Sequence, residues 1–308
     1  MNRYLIAAIL SVVAFSTIGP FVKILSPDFP IPLITFSRAF FGLLFVALVI
    51  PRVEKKAFLL SKKELPGVVI VGFCLATTML LYNHAFAVAP LADVVLLNYT
   101  HVFLSPILAF FLLKERMGRD AWVILLTGFV GLAIINPFDG HSIEGNLFAL
   151  GAGISYAAMT VFMRKEDTHH ELGNVIWFLG FACLFLLPFA FAEPFILTWE
   201  GVGVMALAGI ISTGLGYLFF NYALEGLRVH EVSIFDLVLG TLIGVVLSVF
   251  AFHESVSWNL LLGGLIVVGS GILFIRNRHL VNLGLKLPLP QKGIYGSSFL
   301  QAKIRRSR

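Results

Sequence analysis

Apolar residues dominate the chain in long runs, and short islands of charged or turn residues separate these runs. Each run holds about 20 residues, which at about 1.5 Å per residue is the helix length that crosses about 30 Å of hydrocarbon. The islands divide the chain into ten predicted spans, at residues 4–24, 31–50, 66–88, 91–113, 120–137, 145–163, 173–192, 199–222, 231–252 and 257–275. The pattern therefore predicts an all-α membrane protein with ten transmembrane helices.

Positive charges lie almost entirely on one side of this arrangement. With the N-terminus placed in the cytoplasm, twenty of the 22 Lys and Arg residues fall on the cytoplasmic side. The two others are Lys23, on the external side, and Arg38, within the second span. Because Lys and Arg concentrate in cytoplasmic loops, we expect both termini in the cytoplasm, which requires an even number of spans. Residues 279–308 are expected to form a basic, poorly ordered cytoplasmic tail.

Composition agrees with a membrane protein and argues against other classes. Hydrophobic residues make up 58% of the chain and charged residues 13%, whereas soluble domains carry about 25% charged residues. The net charge of +5 comes from the cytoplasmic flanks, so it does not indicate a nucleic-acid partner. Cys74 and Cys183 lie in apolar runs without metal-ligand spacing. We therefore expect no disulfide, no metal site and no cofactor.

The two halves of the chain repeat one another. Polar and acidic residues recur in the same order at an offset of 138 residues: Asn83 with Asn221, Asp93 with Glu231, and Asn98 with Asp236. The predicted repeats cover residues 1–138 and 143–278, and each contains five spans. An odd number of spans makes the two copies enter the membrane from opposite sides. The sequence thus predicts a five-plus-five inverted-topology repeat, a plan that recurs in secondary transporters.

Short motifs within these repeats suggest a family. In the first half they are residues 81–86 (LYNHAF) and 113–116 (LKER), and in the second half residues 220–224 (FNYAL) and 250–254 (FAFHE). With the ten spans, these motifs resemble the EamA family of the drug/metabolite transporter superfamily over residues 3–276. The resemblance implies a transporter of small solutes in the prokaryotic cytoplasmic (inner) membrane, as a monomer or homodimer. Such solutes are amino acids, other metabolites or drugs, and they are commonly exported.

The resemblance also implies where the substrate cavity lies. It places the cavity between the halves, lined by every span except the fifth and tenth, which would be peripheral or dimer-facing. The chain departs from the family pattern at Val102 and Thr241, where a proline is usual. We therefore expect the bending of the fourth and ninth spans to differ from that of the family.

Two charged residues lie more than one turn from the ends of their predicted spans. Arg38 lies about 10 Å deep in the second span, where a cation costs about 2.5–3.5 kcal/mol unless it faces a cavity or a partner. Either it anchors a substrate carboxylate or phosphate, or it is a structural side chain that reaches helix carbonyls. Asp236 lies one to two turns into the ninth span. Either it takes up a proton and couples transport, or it is a polar helix start in contact with cytoplasmic water.

Polar and aromatic residues within the spans form the predicted substrate-binding set. Amide side chains in lipid-buried helices either bridge helices or line a cavity, and aromatic rings with polar tips suit a ligand pocket. The predicted substrate-binding residues are Arg38, Tyr82, Asn83, Asn98, Tyr99, His101, Tyr156, Trp177, Asn221 and Tyr222, with Asp236 as the possible coupling residue.

These features favour a secondary transporter that works by alternating access and exports amino acids or related organic solutes. Drugs, quaternary amines and sugar phosphates are the alternative solutes. The Gly-x-x-x-x-Gly-Lys-Ser/Thr loop of ATP-driven pumps is absent, so energy is expected from an ion gradient or from exchange. The rival class is an intramembrane enzyme, but the chain has neither His-Glu-x-x-His nor Gly-x-Ser-x-Gly on a span. A channel would require a filter segment, and no such segment is recognisable.

Overall fold

The computed structural model describes residues 3–53, 58, 60, 62, 64–112, 116–117, 119–135, 142–165, 173–224, 236–276 and 281–282. The α-helices are α1 Arg3–Ser16, α2 Ile18–Leu25, α3 Ile31–Val53, α4 Leu65–Val88, α5 Leu91–Asn98, α6 Thr100–Leu112, α7 Arg119–Ile135, α8 Ile143–Lys165, α9 Gly173–Ala190, α10 Trp199–Ala208, α11 Gly216–Leu224, α12 Thr241–Phe252 and α13 Trp258–Arg276. Two π-helices cover Gly209–Leu215 and Asp236–Gly240. The strands β1 Arg116–Met117 and β2 Val281–Asn282 pair antiparallel.

The helices follow the predicted spans closely. Seven are long and apolar enough to cross a membrane: Arg3–Leu25, Ile31–Arg52, Leu65–Val88, Leu91–Leu112, Ile143–Met163, Gly173–Ala190 and Trp199–Ala223. Three shorter apolar helices, Trp122–Ile134, Asp236–Phe252 and Trp258–Leu273, lie where the fifth, ninth and tenth spans are predicted. The chain is therefore a helical, multi-pass membrane protein. The count of ten spans in a five-plus-five repeat stays a prediction.

Two predictions fall mostly outside the described residues. The boundary between the eighth and ninth spans, predicted at residues 225–230, is one of them. The other is the tail at 279–308, of which only β2 is described. The pairing of β2 with β1 was not predicted from the sequence, because two residues are too few to produce a strand pattern.

The helical surface is apolar, as a lipid environment requires. Phe73 is 54% exposed, Phe111 68%, Leu265 72% and Phe250 76%. A soluble monomer rarely exposes apolar side chains over so much of its surface. These side chains are therefore placed to contact acyl chains, while the polar residues described below are turned inward.

The connection between α4 and α5 shows how local sequence sets the span boundaries. Pro66 lies in the first turn of α4, where its missing N–H leaves no helix bond unmade. At the other end, Ala89 adopts an extended conformation (φ −133°, ψ 161°) because the following Pro90 excludes the helical region. The turn is therefore tight, and α5 begins at once with Leu91.

Helices from the two halves pack in pairs that agree with the proposed repeat. α1 packs against α11, which pairs the first span with the eighth, and α4 packs against α8, which pairs the third span with the sixth. In the proposed repeat the first span corresponds to the sixth and the third to the eighth, so these two pairs are equivalent. Three further pairs each join a span of the first half to the corresponding span of the second half: α3–α9, α5–α12 and α7–α13. This packing is the pattern that two related halves are expected to produce.

Four spans are interrupted within the bundle. The first is interrupted at Thr17 between α1 and α2, and the fourth at Tyr99 between α5 and α6. The eighth and ninth contain the two π-helices. Thus the fourth and ninth spans are irregular although neither Val102 nor Thr241 is a proline. Helix interruptions and π-helices within membrane spans are frequently found at functional sites.

Candidate functional site

A cavity of about 130 Å³ lies where the four interrupted spans meet. Its lining residues come from the first, second, third, fourth, sixth, eighth and ninth spans. Among the described residues, none of the lining belongs to α7, α9 or α13. The fifth and tenth spans are thus peripheral to it, as the resemblance implies, whereas the seventh span does not contribute as expected. A cavity of about 150 Å³ accommodates benzene, so this one holds only a small solute unless the halves separate.

The guanidinium of Arg38 forms one wall of the cavity and is fixed from behind. Arg38 is only 4% exposed, and its Nη1 donates to Asn83 Oδ1 at 2.9 Å. Asn83 Nδ2 in turn donates to Thr35 Oγ1 at 2.8 Å, and that hydroxyl donates to the carbonyl of Ile31. This chain of hydrogen bonds joins α3 to α4. It sets the orientation of the guanidinium, whose Nε has no partner within the described part of the chain.

Close helix approach explains why Arg38 reaches this position. A Cβ atom on Gly209, the first residue of the π-helix in the eighth span, would lie 2.9 Å from the Arg38 carbonyl oxygen and 3.0 Å from the Gly42 nitrogen. Only glycine leaves room for the backbone of α3 at that distance. The hydroxyl-bearing residues that follow, Ser212 and Thr213, therefore line the cavity beside Arg38.

A second part of the lining is formed by the interruptions of the fourth and ninth spans. The Tyr99 hydroxyl donates to the backbone carbonyl of Asp236 at 2.6 Å, and the Asp236 side chain lines the cavity. His101 Nδ1 lies 2.8 Å from the Asn98 carbonyl, and the His101 ring packs edge-on against Tyr156, with centroids 4.5 Å apart. A carboxylate and three aromatic rings thus face the cavity here.

Hydrogen bonds between the halves join the interrupted segments in pairs. One is the bond from Tyr99 to Asp236, between the fourth and ninth spans. The other joins the hydroxyls of Thr17 and Ser212 at 3.0 Å, between the first and eighth spans. The cavity is therefore enclosed by two pairs of helix interruptions, each held by a bond that is lost if the halves separate at that point.

Three buried polar atoms around the cavity have no hydrogen-bond partner among the residues that the structure describes: Arg38 Nε, Thr78 Oγ1 and Asn98 Oδ1. Buried polar atoms are nearly always paired, because an unpaired group costs about 1–3 kcal/mol. A solute or water in the cavity can provide the missing partners. The lining therefore offers a cationic donor, a carboxylate and an amide oxygen.

The structure brings together most of the predicted substrate-binding residues. Six of them line the cavity, namely Arg38, Tyr82, Asn98, Tyr99, His101 and Tyr156, and so does Asp236. Asn83 is fully buried behind Arg38. The contact of these residues with a solute stays a prediction.

Besides Asn83, three predicted residues lie outside the cavity lining. The indole of Trp177 packs in the apolar core around α3, α4 and α9. Asn221 Nδ2 donates to the Tyr217 carbonyl at 2.8 Å within its own helix, and the ring of Tyr222 packs against Tyr4. Repeat symmetry suggested equal roles for Asn83 and Asn221, but only Asn83 contacts a charged side chain of the cavity.

Sequence reasoning missed the hydroxyl-bearing part of the lining, which includes Ser11, Thr78, Ser212, Thr213 and Tyr217. Serine and threonine are common in membrane helices, where they hydrogen-bond to the carbonyl one turn earlier, so singly they carry no functional signal. The glycine-rich run at 209–216 (GIISTGLG) was the one available signal for Ser212 and Thr213, because closely spaced glycines favour helix irregularity.

Comparison with known proteins agrees with this architecture. The "Pseudopaline exporter CntI" of Pseudomonas aeruginosa (strain UCBPP-PA14) is 26% identical over 220 residues, which cover 70% of this chain and 76% of that protein. The "S-adenosylmethionine uptake transporter" of Rickettsia felis is 23% identical over 244 residues, which cover 78% of this chain and 83% of that protein. A solved crystal structure superposes with a TM-score of 0.61 and 16% identity over 91% of this chain and 98% of its own, which supports the fold alone.

The family match covers both halves of the chain. The sequence profile described as "EamA-like transporter family" matches twice, over residues 2–136 and 143–276. Together the two matches leave out little more than the connecting segment and the basic tail. With the helical bundle and its central cavity, this match establishes that the chain belongs to the EamA-like transporter family.

Proposed function

We propose that this protein is a secondary transporter that exports amino acids or related small organic solutes by alternating access between two five-helix halves. The observation that carries the proposal is the pair of opposite charges on one cavity, which both Arg38 and Asp236 line. A zwitterionic solute satisfies both: its carboxylate accepts from the guanidinium, and its ammonium group approaches the carboxylate.

The remaining lining supports a solute of that kind. Arg38 Nε and the Thr78 hydroxyl provide donors for a carboxylate, and Asn98 Oδ1 provides an acceptor for an ammonium group. Phe15, Phe86 and Tyr156 supply apolar surface for a side chain. A neutral drug leaves both charged groups without a partner, and a sugar phosphate leaves Asp236 facing an anion. The zwitterion therefore accounts for more of the cavity than the alternative solutes.

The two relatives differ in the direction of transport that their names give. The Pseudomonas relative is named an exporter and the Rickettsia relative an uptake transporter. Alternating access allows either direction, because the gradients of solute and coupling ion decide which way net transport runs. Export is proposed here because the family resemblance implies it.

Tracer counterflow in proteoliposomes tests the solute class directly. Purified protein is reconstituted, the vesicles are loaded with one unlabelled solute at high concentration, and uptake of the same labelled solute is followed. The panel consists of neutral, basic and acidic amino acids, sugar phosphates and quaternary amines, each offered separately. We expect transient accumulation of labelled amino acids, abolished by excess unlabelled amino acid.

Two controls make the result interpretable. Protein-free vesicles give the leak, and an Arg38→Met protein reconstituted at equal density shows whether accumulation depends on the cavity. Counterflow of sugar phosphates or quaternary amines without counterflow of any amino acid would contradict the proposed solute class. Absence of counterflow across the panel, by protein that elutes as a folded species, would contradict the proposed transport of these solutes.

A further inference from the structure

A second charged cluster lies outside the cavity and is not used by the proposed binding of solute. Lys23 Nζ contacts Glu254 Oε1 at 2.7 Å and also donates to the carbonyl of Ala89 at 3.2 Å. Glu254 Oε2 accepts from the Leu91 backbone N–H at 2.8 Å and from the hydroxyl of Ser248. The predicted topology places all these groups on the external side of the membrane, at the ends of the first, third, fourth and ninth spans.

The cluster joins the two halves of the protein. Lys23, Ala89 and Leu91 belong to the first half, whereas Ser248 and Glu254 belong to the second. Glu254 has three partners: one ammonium, one backbone N–H and one hydroxyl. Separation of the halves on this side breaks the contact with Lys23 and the bond with Leu91 together.

The backbone before Glu254 is shaped to make this contact. His253 ends α12 in the left-handed conformation (φ 53°, ψ 32°), which is rare for a residue other than glycine. The reversal allows the Glu254 N–H to bond to the Ser248 carbonyl at 2.9 Å. The chain thus turns back on the helix end, and the carboxylate is held toward Lys23.

An apolar layer lies between this cluster and the cavity. A Cβ atom on Gly19 would lie 2.9 Å from Leu91 Cδ1 and 2.9 Å from the Phe86 ring, so α2 lies directly against these side chains. Ile18 and Phe86 line the cavity below this contact, and the Lys23 ammonium lies 5.5 Å from the Phe252 ring centroid above it. The external side of the cavity is therefore closed first by packed apolar groups and then by an ion pair.

We propose that Lys23 and Glu254 form the external closure of the cavity, an ion pair that holds the outward-closed state and must break whenever the cavity opens outward. The inference rests on the proposed transport function, for which it identifies the controlling contact. The side chains of Lys23 and Glu254 are 19% and 15% exposed. This partial hydration suits a reversible contact: a fully buried pair costs too much to break in each cycle, and a fully exposed pair contributes too little to hold the halves together.

Thiol labelling tests the closure without any solute. Cys74 and Cys183 are replaced by alanine, and Ser11, a buried residue of the cavity lining, is replaced by cysteine as the reporter. A membrane-impermeant methanethiosulfonate is added to intact cells, and the rate of labelling is measured. We expect Glu254→Gln to increase this rate by roughly tenfold, the effect of about 1.4 kcal/mol on the population of the outward-open state.

Matched variants separate the closure from general damage. Glu193→Gln removes an exposed carboxylate on the same predicted side and is expected to leave the rate unchanged. Lys23→Met removes the other partner and is expected to match Glu254→Gln, so it decides the question if Glu254→Gln does not reach the membrane. Labelling in both partner variants at the rate of the Glu193→Gln protein would overturn the proposal.

Cross-linking provides an independent measurement. In the same cysteine-free background, cysteines at positions 23 and 254 are joined by a short reducible bifunctional thiol reagent, and counterflow is measured before and after reduction. We expect transport to stop in the cross-linked protein and to return with reductant, and full transport by cross-linked protein would overturn the closure. If labelling rises in the partner variants but no solute is transported, the closure stands and the proposed solutes are wrong.

Discussion

Replacement of Arg38 by methionine is the most direct test of the cavity as a binding site. Methionine has similar length but carries neither charge nor N–H groups. In the structure, Arg38 is almost fully buried and keeps its Nε unpartnered while Asn83 holds the other end of the guanidinium. A substrate carboxylate that docks on this guanidinium loses its charged partner in the Arg38→Met protein.

The expected loss of solute binding is large compared with the expected loss of stability. Removal of one member of a buried charged pair costs about 2–5 kcal/mol, which corresponds to a loss in affinity of about 30-fold to several thousandfold. For the fold, Asn83 Oδ1 loses its donor, at a cost of about 1–3 kcal/mol, and relief from burying a cation offsets part of that cost. We therefore expect a folded protein with little or no counterflow.

Two measurements on the same preparations separate these effects. The concentration dependence of tracer counterflow gives the half-saturating concentration, and thermal unfolding with and without solute gives the stability and the stabilisation by bound solute. Arg38→Lys is the matched variant, because it keeps the positive charge but lacks the planar donors, and we expect intermediate affinity. Wild-type half-saturation and rate in the Arg38→Met protein would refute the reasoning and leave the structural alternative for Arg38.

Three further predictions follow from particular contacts. Asp236→Asn removes the carboxylate that the described residues contribute to the cavity lining. If that group carries a coupled proton, transport measured over a pH series loses its pH dependence in the variant. The same dependence in both proteins would exclude Asp236 as the carrier. Tyr99→Phe removes the hydrogen bond to the Asp236 carbonyl and should lower the free energy of unfolding by about 1 kcal/mol, seen as a lower melting temperature; an unchanged melting temperature would show that this bond contributes nothing. Gly131→Ala places a methyl group 2.9 Å from Ile266 Cγ2 and should destabilise the packing of α7 on α13 by about 1–3 kcal/mol. Gly269→Ala is the control, because its methyl group meets open space and should not destabilise this packing. Equal losses of stability in the two variants would contradict this packing.

The position of the polar residues was predictable only in part. Arg38 and Asp236 were identified because a charge within an apolar span is costly, and both line the cavity. Trp177 and Tyr222 were proposed for a different reason, because aromatic rings with polar tips suit a ligand pocket. Both pack away from the cavity. A charge must find water or a partner, so its depth alone is informative. A tryptophan or tyrosine is equally stable in a packed core, so its depth alone is not.

The sequence by itself determined that this protein is helical and spans a membrane many times, and it predicted two similar halves. Those properties depend on the length of apolar runs and on the order of residues along the chain, and bilayer thickness converts run length into helix length. The tertiary structure decided which side chains share the cavity, and it revealed the interruptions at Thr17 and Tyr99 and the contact between Lys23 and Glu254. These depend on the rotation and depth of helices far apart in the chain, which are set by close contacts such as that of Gly209 with the Arg38 carbonyl, and no pattern within a single span encodes them.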